Sequence, residues 1–283
     1  MVTTRIYCRP GCAARPLAEN VRTFELAASA EAAGFRACLR CRPYRVAGTI
    51  ASGAPELVCR AVQLIIDGVL DTSTETSLGA RLAISPRHLR RIFNDHLGVT
   101  PDQLARSRRA HFARRLLDDT DLTVADVAFA SGFASIRQFN RQMREVFRAP
   151  PRELRNRRRR ADRLAADGGL TMRLPFEPPF DWDAVTAFFA DLAVPGVESV
   201  PGRVYRRTIS LDGAPGVLEV HPGGADHLLL RAHLPYWEGL IHVAERAGRM
   251  VGADAGPAVR APGAWGPFEV AAVSYTHLTL PTN

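Results

Sequence analysis

The sequence predicts a multidomain α+β chain, and three observations carry that expectation. Four of the five cysteines fall in two close pairs within the first 41 residues. From about Pro55 to Arg155 the apolar residues recur with a helical period, and part of that pattern repeats at an offset of 50 residues. Beyond a small-residue linker at 165–169 the apolar residues alternate with the period of strands. At about 100–200 residues per domain, a chain of 283 has room for two or three. The expected domains are a small four-cysteine zinc domain over 1–48, an all-α double helix-turn-helix domain over 55–158, and an α+β sheet-and-helix domain over 170–270.

Charge divides the chain in the same place. All 37 basic residues are arginine; 29 of them lie in residues 1–163 against 16 acids, a net of +13. The remaining 120 residues hold 8 arginines and 13 acids, a net of −5, so the overall +8 describes neither part. A basic front has the electrostatic footprint of a polyanion binder, and nucleic acid is the first partner expected. With 46% apolar and 23% charged residues the chain is not wholly disordered. No apolar run approaches the roughly 18 residues of a membrane span, so no membrane partner is expected. The first 30 residues carry cysteine, proline and arginine where a secretory signal needs an apolar core, which points to a cytoplasmic, reducing compartment.

The first domain rests on Cys8 and Cys12, then Cys38 and Cys41, with 25 residues between the pairs. Two short turns can each present two thiolates to one tetrahedral ion, the ligand set of a four-cysteine zinc site. Disulfides, or unrelated free thiols, are the competing reading, and a reducing compartment disfavours the former. A segment of about 45 residues closes only a small core, so a metal would supply missing folding free energy. Cys59 stands apart in an apolar run from Leu57 to Ile66 and is expected to be a small buried core residue.

The residues around the pairs are more specific than their spacing. Ile6-Tyr7-Cys8-Arg9-Pro10-Gly11-Cys12, Arg15-Pro16 with Glu19-Asn20-Val21, and Gly34-Phe35-Arg36-Ala37-Cys38-Leu39-Arg40-Cys41-Arg42-Pro43 resemble the zinc domain of the Ada methylation-response proteins. The resemblance implies one Zn2+ on Cys8, Cys12, Cys38 and Cys41, and it makes Cys8 the catalytic acceptor of a methyl group taken irreversibly from a DNA methylphosphotriester. Four thiolates on one divalent ion carry a formal charge of about −2, which leaves sulfur nucleophilic; methylation brings it to about −1 and weakens repulsion of DNA phosphates. A closed structural site in which no thiolate is attacked is the alternative. Members of the family carry some thirty residues before the first cysteine, so the domain is expected to be N-terminally incomplete.

In the second domain Ser85-Pro86-Arg87-His88-Leu89-Arg90-Arg91-Ile92-Phe93 aligns with Ser135-Ile136-Arg137-Gln138-Phe139-Asn140-Arg141-Gln142-Met143. Each begins with a serine N-cap, with proline at the first helical position in one and glutamine at the capping-box position in the other. Leu89, Ile92 and Phe93, like Phe139 and Met143, form an apolar stripe, and the arginines lie on another face. A short helix precedes each copy, Leu78 to Leu82 and Val124 to Ala130, and Gly132 supplies the second turn. Thr100-Pro101-Asp102-Gln103 starts a joining helix that ends near Asp118, with Leu104, Phe112, Ala113, Leu116 and Leu117 on its buried side.

Two such units on one long helix, with Val127-Ala128-Phe129-Ala130-Ser131-Gly132-Phe133, Phe139-Asn140 and Phe147-Arg148-Ala149-Pro150-Pro151, resemble the AraC family's DNA-binding domain. The resemblance implies two recognition helices entering successive major-groove segments of double-stranded DNA. Arg87, His88, Arg91, Ser135, Arg137, Gln138 and Arg141 are the candidate DNA-binding residues, since arginine can fork to guanine and glutamine to adenine. For each of them a phosphate contact or a solvated charge is an alternative to base readout. The run Arg157 to Arg160 marks a linker and a possible non-specific phosphate contact.

In the third domain Leu170 to Pro175, Arg206 to Leu211, Val217 to His221 and Leu228 to Leu234 read as strands, and Asp181-Trp182 leads a helix carrying Val185, Phe188, Phe189 and Leu192. Pro178-Pro179-Phe180-Asp181-Trp182, Val194-Pro195-Gly196-Val197-Glu198, Tyr205-Arg206-Arg207-Thr208 and Gly216-Val217-Leu218-Glu219-Val220 resemble the N-terminal domain of AlkA-type 3-methyladenine DNA glycosylases. In that family catalysis needs a later helix-hairpin-helix and an aspartate. Arg260 to Val270 reads as the threshold of that domain, which is expected to be missing, and 271–283 reads as an anomalous tail.

Together these readings imply a regulator of the alkylation response that binds promoter DNA, repairs methylphosphotriesters stoichiometrically and engages RNA polymerase. The alternatives are a zinc-containing transcription factor without methyl transfer, and a fragment of a bifunctional regulator and DNA-3-methyladenine glycosylase.

Overall fold

The computed structural model describes residues 1–14, 16–45, 54–165 and 168–254. Arg15, part of the linker expected at 165–169, the segment Arg260 to Val270 and the tail therefore lie outside the described residues. The described residues form two compact units, one within Met1–Leu117, Leu122–Arg158 and Glu238–His242, the other within Asp118–Asp121, Arg159–Trp237 and 243–254.

The first unit begins with two very short parallel strands, β1 (Ile6–Tyr7) and β2 (Arg36–Ala37), in the register Ile6 to Arg36 and Tyr7 to Ala37. Between them runs α1 (Ala27–Ala32), whose Ala28 and Ala30 are buried. Phe24 meets Phe35 edge-on at 5.3 Å. Two-residue strands and a core of alanines with a few aromatics supply little hydrophobic stabilisation, the expected condition of a segment this small.

Helices follow in close succession: α2 (Glu56–Ile66), α3 (Val69–Thr72), α4 (Glu75–Arg81), α5 (Pro86–Leu97), α6 (Pro101–Asp119), α7 (Val124–Ala130), α8 (Ile136–Phe147) and α9 (Pro151–Asn156). Their starts are written in the caps. Ser85 Oγ accepts the His88 N–H and Ser135 Oγ the Gln138 N–H, each at 3.2 Å. Thr100 and Gln103 close a reciprocal box at the head of α6, at 2.8 and 3.2 Å. A further box between Thr123 and Asp126 starts α7; its T-x-x-D spacing is visible in the sequence. In the second turn Gly132 has φ +78°, and an added Cβ would stand 2.8 Å from Asp71 Oδ2, so the position requires glycine.

The stripes point inward as their period requires. Leu89, Phe93 and Leu97 pack with Val58, Ala61, Val62 and Leu78, whereas Ile92 is only partly buried against that core. Phe139 and Met143 are fully buried around α8, and the anticipated face of α6 is buried throughout. Cys59 is not a core residue: it is half-buried on α2, with Sγ 3.5 Å from the Ala54 carbonyl. Arg109 and Arg114 of α6 are buried as well.

The second unit is an antiparallel sheet with helices. Strands β3 (Leu170–Pro175), β4 (Glu198–Ser199), β5 (Tyr205–Leu211), β6 (Ala214–Pro222) and β7 (His227–His233) lie in the order β3-β7-β6-β5-β4. Helix α10 (Trp182–Leu192), capped by Asp181 on the Ala184 N–H, sets Phe189 4.3 Å from the Tyr205 ring. Its buried side is Trp182, Thr186 and Phe189; Leu192, expected on that side, is 55% exposed because it occupies the last, solvent-facing turn. Helix α11 (Leu240–Met250) brings Met250 Sδ to 3.6 Å from the Tyr205 hydroxyl. Among the described residues no helix is long and apolar enough to cross a membrane.

Candidate metal centre and nucleic-acid interface

The fold brings Cys8, Cys12, Cys38 and Cys41 together, with all four Sγ atoms within 4.8 Å of one another. Strand β1 delivers Cys8, and a turn through Gly11 (φ +75°) returns the chain so that the Cys12 N–H meets the Arg9 carbonyl at 3.3 Å. Strand β2 leads into Cys38, whose N–H donates to the Tyr7 carbonyl at 3.0 Å, and the Arg42 N–H closes the next turn on the Cys38 carbonyl at 3.0 Å. Cys38 is the deepest of the four at 9% exposure; the others are half-buried.

Crowding four sulfurs has an electrostatic consequence. Burial, then hydrogen bonding and repulsion from Cys38, push the Cys8 thiol well above its ordinary range. At Cys38 burial is outweighed by the N–H groups of Cys41 and Arg40 with help from Cys8, so this thiol is pulled down. Cys41 is pushed up to about 11, chiefly by burial, against the Arg9 N–H and with Cys38 adding to the rise. The cluster favours one thiolate and resists further negative charge, which a divalent cation at its centre would reverse. Tetrahedral coordination at about 2.3 Å per Zn–S bond places sulfurs about 3.8 Å apart, and the four Sγ atoms, all within 4.8 Å of one another, are close enough for one ion to reach them all.

The candidate DNA-reading residues occupy corresponding helices. Arg87 and Arg91 are exposed and His88 half-buried on α5; Arg137 and Arg141 are exposed and Gln138 half-buried on α8. Arg91 Nη2 donates to His88 Nδ1 at 2.9 Å, so two of the candidates act as a pair. Arg141 Nε stands 3.8 Å from Glu145 one turn on. Ser135 is exposed at the head of α8, where its hydroxyl serves as the cap. Sequence reading missed Glu75, which binds Arg90 of α5 and accepts the Asp102 N–H of α6 at 3.2 Å, thereby linking α4, α5 and α6. Its carboxylate lies 15 residues from Arg90, beyond the reach of any local spacing rule.

The described residues thus hold a four-cysteine cluster and two tandem helix-turn-helix units in one compact unit, and an antiparallel sheet with helices in the other. Residues 1–44 match the metal binding domain of Ada, residues 78–157 a helix-turn-helix domain and residues 171–261 the AlkA N-terminal domain. The chain is 39% identical over 266 residues to a probable bifunctional transcriptional activator/DNA repair enzyme AlkA of Mycobacterium tuberculosis (strain CDC 1551 / Oshkosh), covering 91% of this chain and 52% of that protein. It is 32% identical over 158 residues to the bifunctional transcriptional activator/DNA repair enzyme Ada of Escherichia coli K12, covering 54% and 42%. It is 30% identical over 138 residues to the AdaA protein of the same description from Bacillus subtilis 168, covering 48% and 64%. The chain thus spans about half the length of the mycobacterial relative.

Proposed function

We propose that this chain is a DNA-binding transcriptional regulator of the alkylation response that repairs DNA methylphosphotriesters by irreversible methyl transfer to Cys8. It would do so with three domains, 1–48, 55–158 and 170–270. The observation that carries the reading is the gathering of four cysteine sulfurs within 4.8 Å, in the segment that matches the metal binding domain of Ada. Cys8, Cys12, Cys38 and Cys41 would hold one Zn2+, which when bound keeps the thiolates deprotonated at neutral pH and rich in electron density.

Cys8 lies at the end of β1, half-buried, with exposed Arg9 beside it and exposed Arg40 next to Cys41. Both guanidiniums suit a phosphate that approaches the cluster. The Cys8 thiolate attacks the methyl carbon of the triester; the S–C bond forms, the C–O bond breaks, and its electron pair stays on the phosphate oxygen. The products are a thioether on Cys8 and a restored phosphodiester, so the protein is consumed in one turnover. The loss of one negative charge from the cluster favours continued contact with DNA.

Helices α5 and α8 would enter successive major-groove segments, with RNA polymerase as the downstream partner in activation. The glycosylase reading belongs to a longer protein of the mycobacterial relative's kind, in which the segment of residues 171–261 would stand ahead of further sequence.

Incubation with a methylphosphotriester duplex should make the metal-loaded protein one methyl group heavier, on Cys8, by intact mass and peptide mapping. An unchanged mass with metal retained sinks methyl transfer and leaves a metal-containing transcription factor. In the helical unit, Arg87→Ala or Arg137→Ala should weaken binding to a selected site by about 1–3 kcal/mol and relax preference at one position if the contact is to a base. A phosphate contact would instead weaken all sequences alike and reduce the salt dependence by about one counterion.

A further inference from the structure

Tyr7 stands between two of the cysteines. Cys8 follows it in the chain, and its carbonyl holds the Cys38 N–H at 3.0 Å. Its side chain reaches the edge of the small segment: the hydroxyl donates to Glu31 Oε1 of α1 at 2.7 Å and lies 3.2 Å from His111 Nε2 of α6. His111 Nε2 is itself 2.6 Å from the same Glu31 oxygen. One carboxylate oxygen therefore joins the strand that precedes Cys8 to the long helix between the two helix-turn-helix units, across 104 residues of sequence.

The cluster is sheltered, with side-chain exposures of 18% for His111 and 9% for Glu31. The His111 ring also lies 5.8 Å from Phe147 at the end of α8. Other contacts bind the small segment to the helices: Ser29 Oγ donates to the Leu97 carbonyl at 2.6 Å, Arg148 Nη2 to the Gly34 carbonyl at 3.3 Å, and Tyr44 meets Phe147 edge-on at 5.7 Å. None of these involves β1.

We propose that Tyr7 is a positioning residue that ties the four-cysteine centre to α6 through Glu31 and His111, so that the state of the centre is felt by the DNA-reading helices. The physical reason is that Tyr7 has two fixed ends. Its backbone follows the geometry of Cys8 and Cys38, while its hydroxyl donates to the Glu31 carboxylate, whose same oxygen meets His111 of α6, the helix that joins α5 to α7. Ordering the cysteines orders β1, and ordering β1 places the hydroxyl on Glu31 and His111. This rests on the metal-binding part of the reading above and is independent of methyl transfer.

The test is amide hydrogen exchange of the full chain, zinc-loaded and after chelation, with metal content measured separately. In the wild-type protein, chelation should speed exchange of peptides around His111 by about tenfold or more, the loss expected when charge-assisted hydrogen bonds let go. In Tyr7→Phe, and in Glu31→Gln should the first variant fold poorly, zinc is retained but chelation speeds exchange around His111 several-fold less than in the wild type. Ser29→Ala, which loses an interface hydrogen bond away from β1, keeps the wild-type response. No response in the wild type, an equal response in Tyr7→Phe, or loss of the response in Ser29→Ala overturns the proposal. A wild-type protein that takes up no zinc overturns the metal reading instead, and a failed methyl-transfer assay leaves the coupling standing.

Discussion

Cys38→Ser is expected to lose bound metal and, with it, the fold of residues 1–45, while the sheet unit keeps its wild-type melting midpoint. Cys38 is the most buried of the four cysteines and the one whose thiol is pulled down by neighbouring N–H groups. It is also anchored from both sides, through its N–H on Tyr7 and its carbonyl on Arg42. Serine keeps the backbone contacts but offers a poor ligand in place of a thiolate. The strands it joins are two residues long each, so little else holds the segment. Structural zinc contributes about 10–16 kcal/mol of apparent binding free energy at pH 7, far more than so small a core can replace. Metal content per chain and protease cleavage within residues 1–45 read the outcome. Full metal retention with a protected segment would show that three cysteines suffice.

Arg109→Leu is expected to destabilise the helical unit by about 3–5 kcal/mol, the usual consequence of removing one partner from a buried ion pair. Arg109 is 5% exposed on α6; its Nε is 3.3 Å from Asp71 Oδ1, and Nη2 donates to the Leu70 carbonyl at 3.1 Å. Nη1 reaches the Gly132 carbonyl at 3.5 Å, and the guanidinium lies 6.0 Å from the Phe133 ring. One side chain thus fastens α6 to the end of α3 and to the turn ahead of α8. Leucine removes those donors and leaves the Asp71 carboxylate without its guanidinium. For a domain of this size the melting midpoint should fall by roughly 12 °C or more. The double variant Arg109→Leu with Asp71→Leu should recover part of that loss, because a sheltered pair replaced by apolar groups costs less than a pair broken. A single variant within about 1 kcal/mol of wild type would show that the pair is energetically idle.

The elements were legible wherever the deciding interaction is local. Ser85, Thr100 and Ser135 announce their helices because a cap joins residues three apart. The strand at Leu170–Pro175 and the helix at Val124–Ala130 follow directly from their periods. Misplaced residues are those for which apolarity was taken as burial: Cys59 and Ile92 are only partly covered and Leu192 faces solvent. On α6, Arg109 and Arg114 are buried against partners that sequence spacing cannot supply. Arg109 pairs 38 residues away with Asp71, and Arg114 lies 5.3 Å from the Tyr44 ring, 70 residues before it.

By itself the sequence determined the order of the segments, the helical and strand periods, the caps, and a pair of cysteine motifs whose spacing suits a tetrahedral ion. These depend on residues within a few positions of one another, where backbone geometry sets the distances. Only the tertiary structure decided that all four sulfurs meet within 4.8 Å, that Glu75 joins three helices, and that Tyr7, Glu31 and His111 share one carboxylate oxygen. Such contacts close loops of tens of residues. Their ends are brought together by the burial of side chains elsewhere, so no local pattern records them.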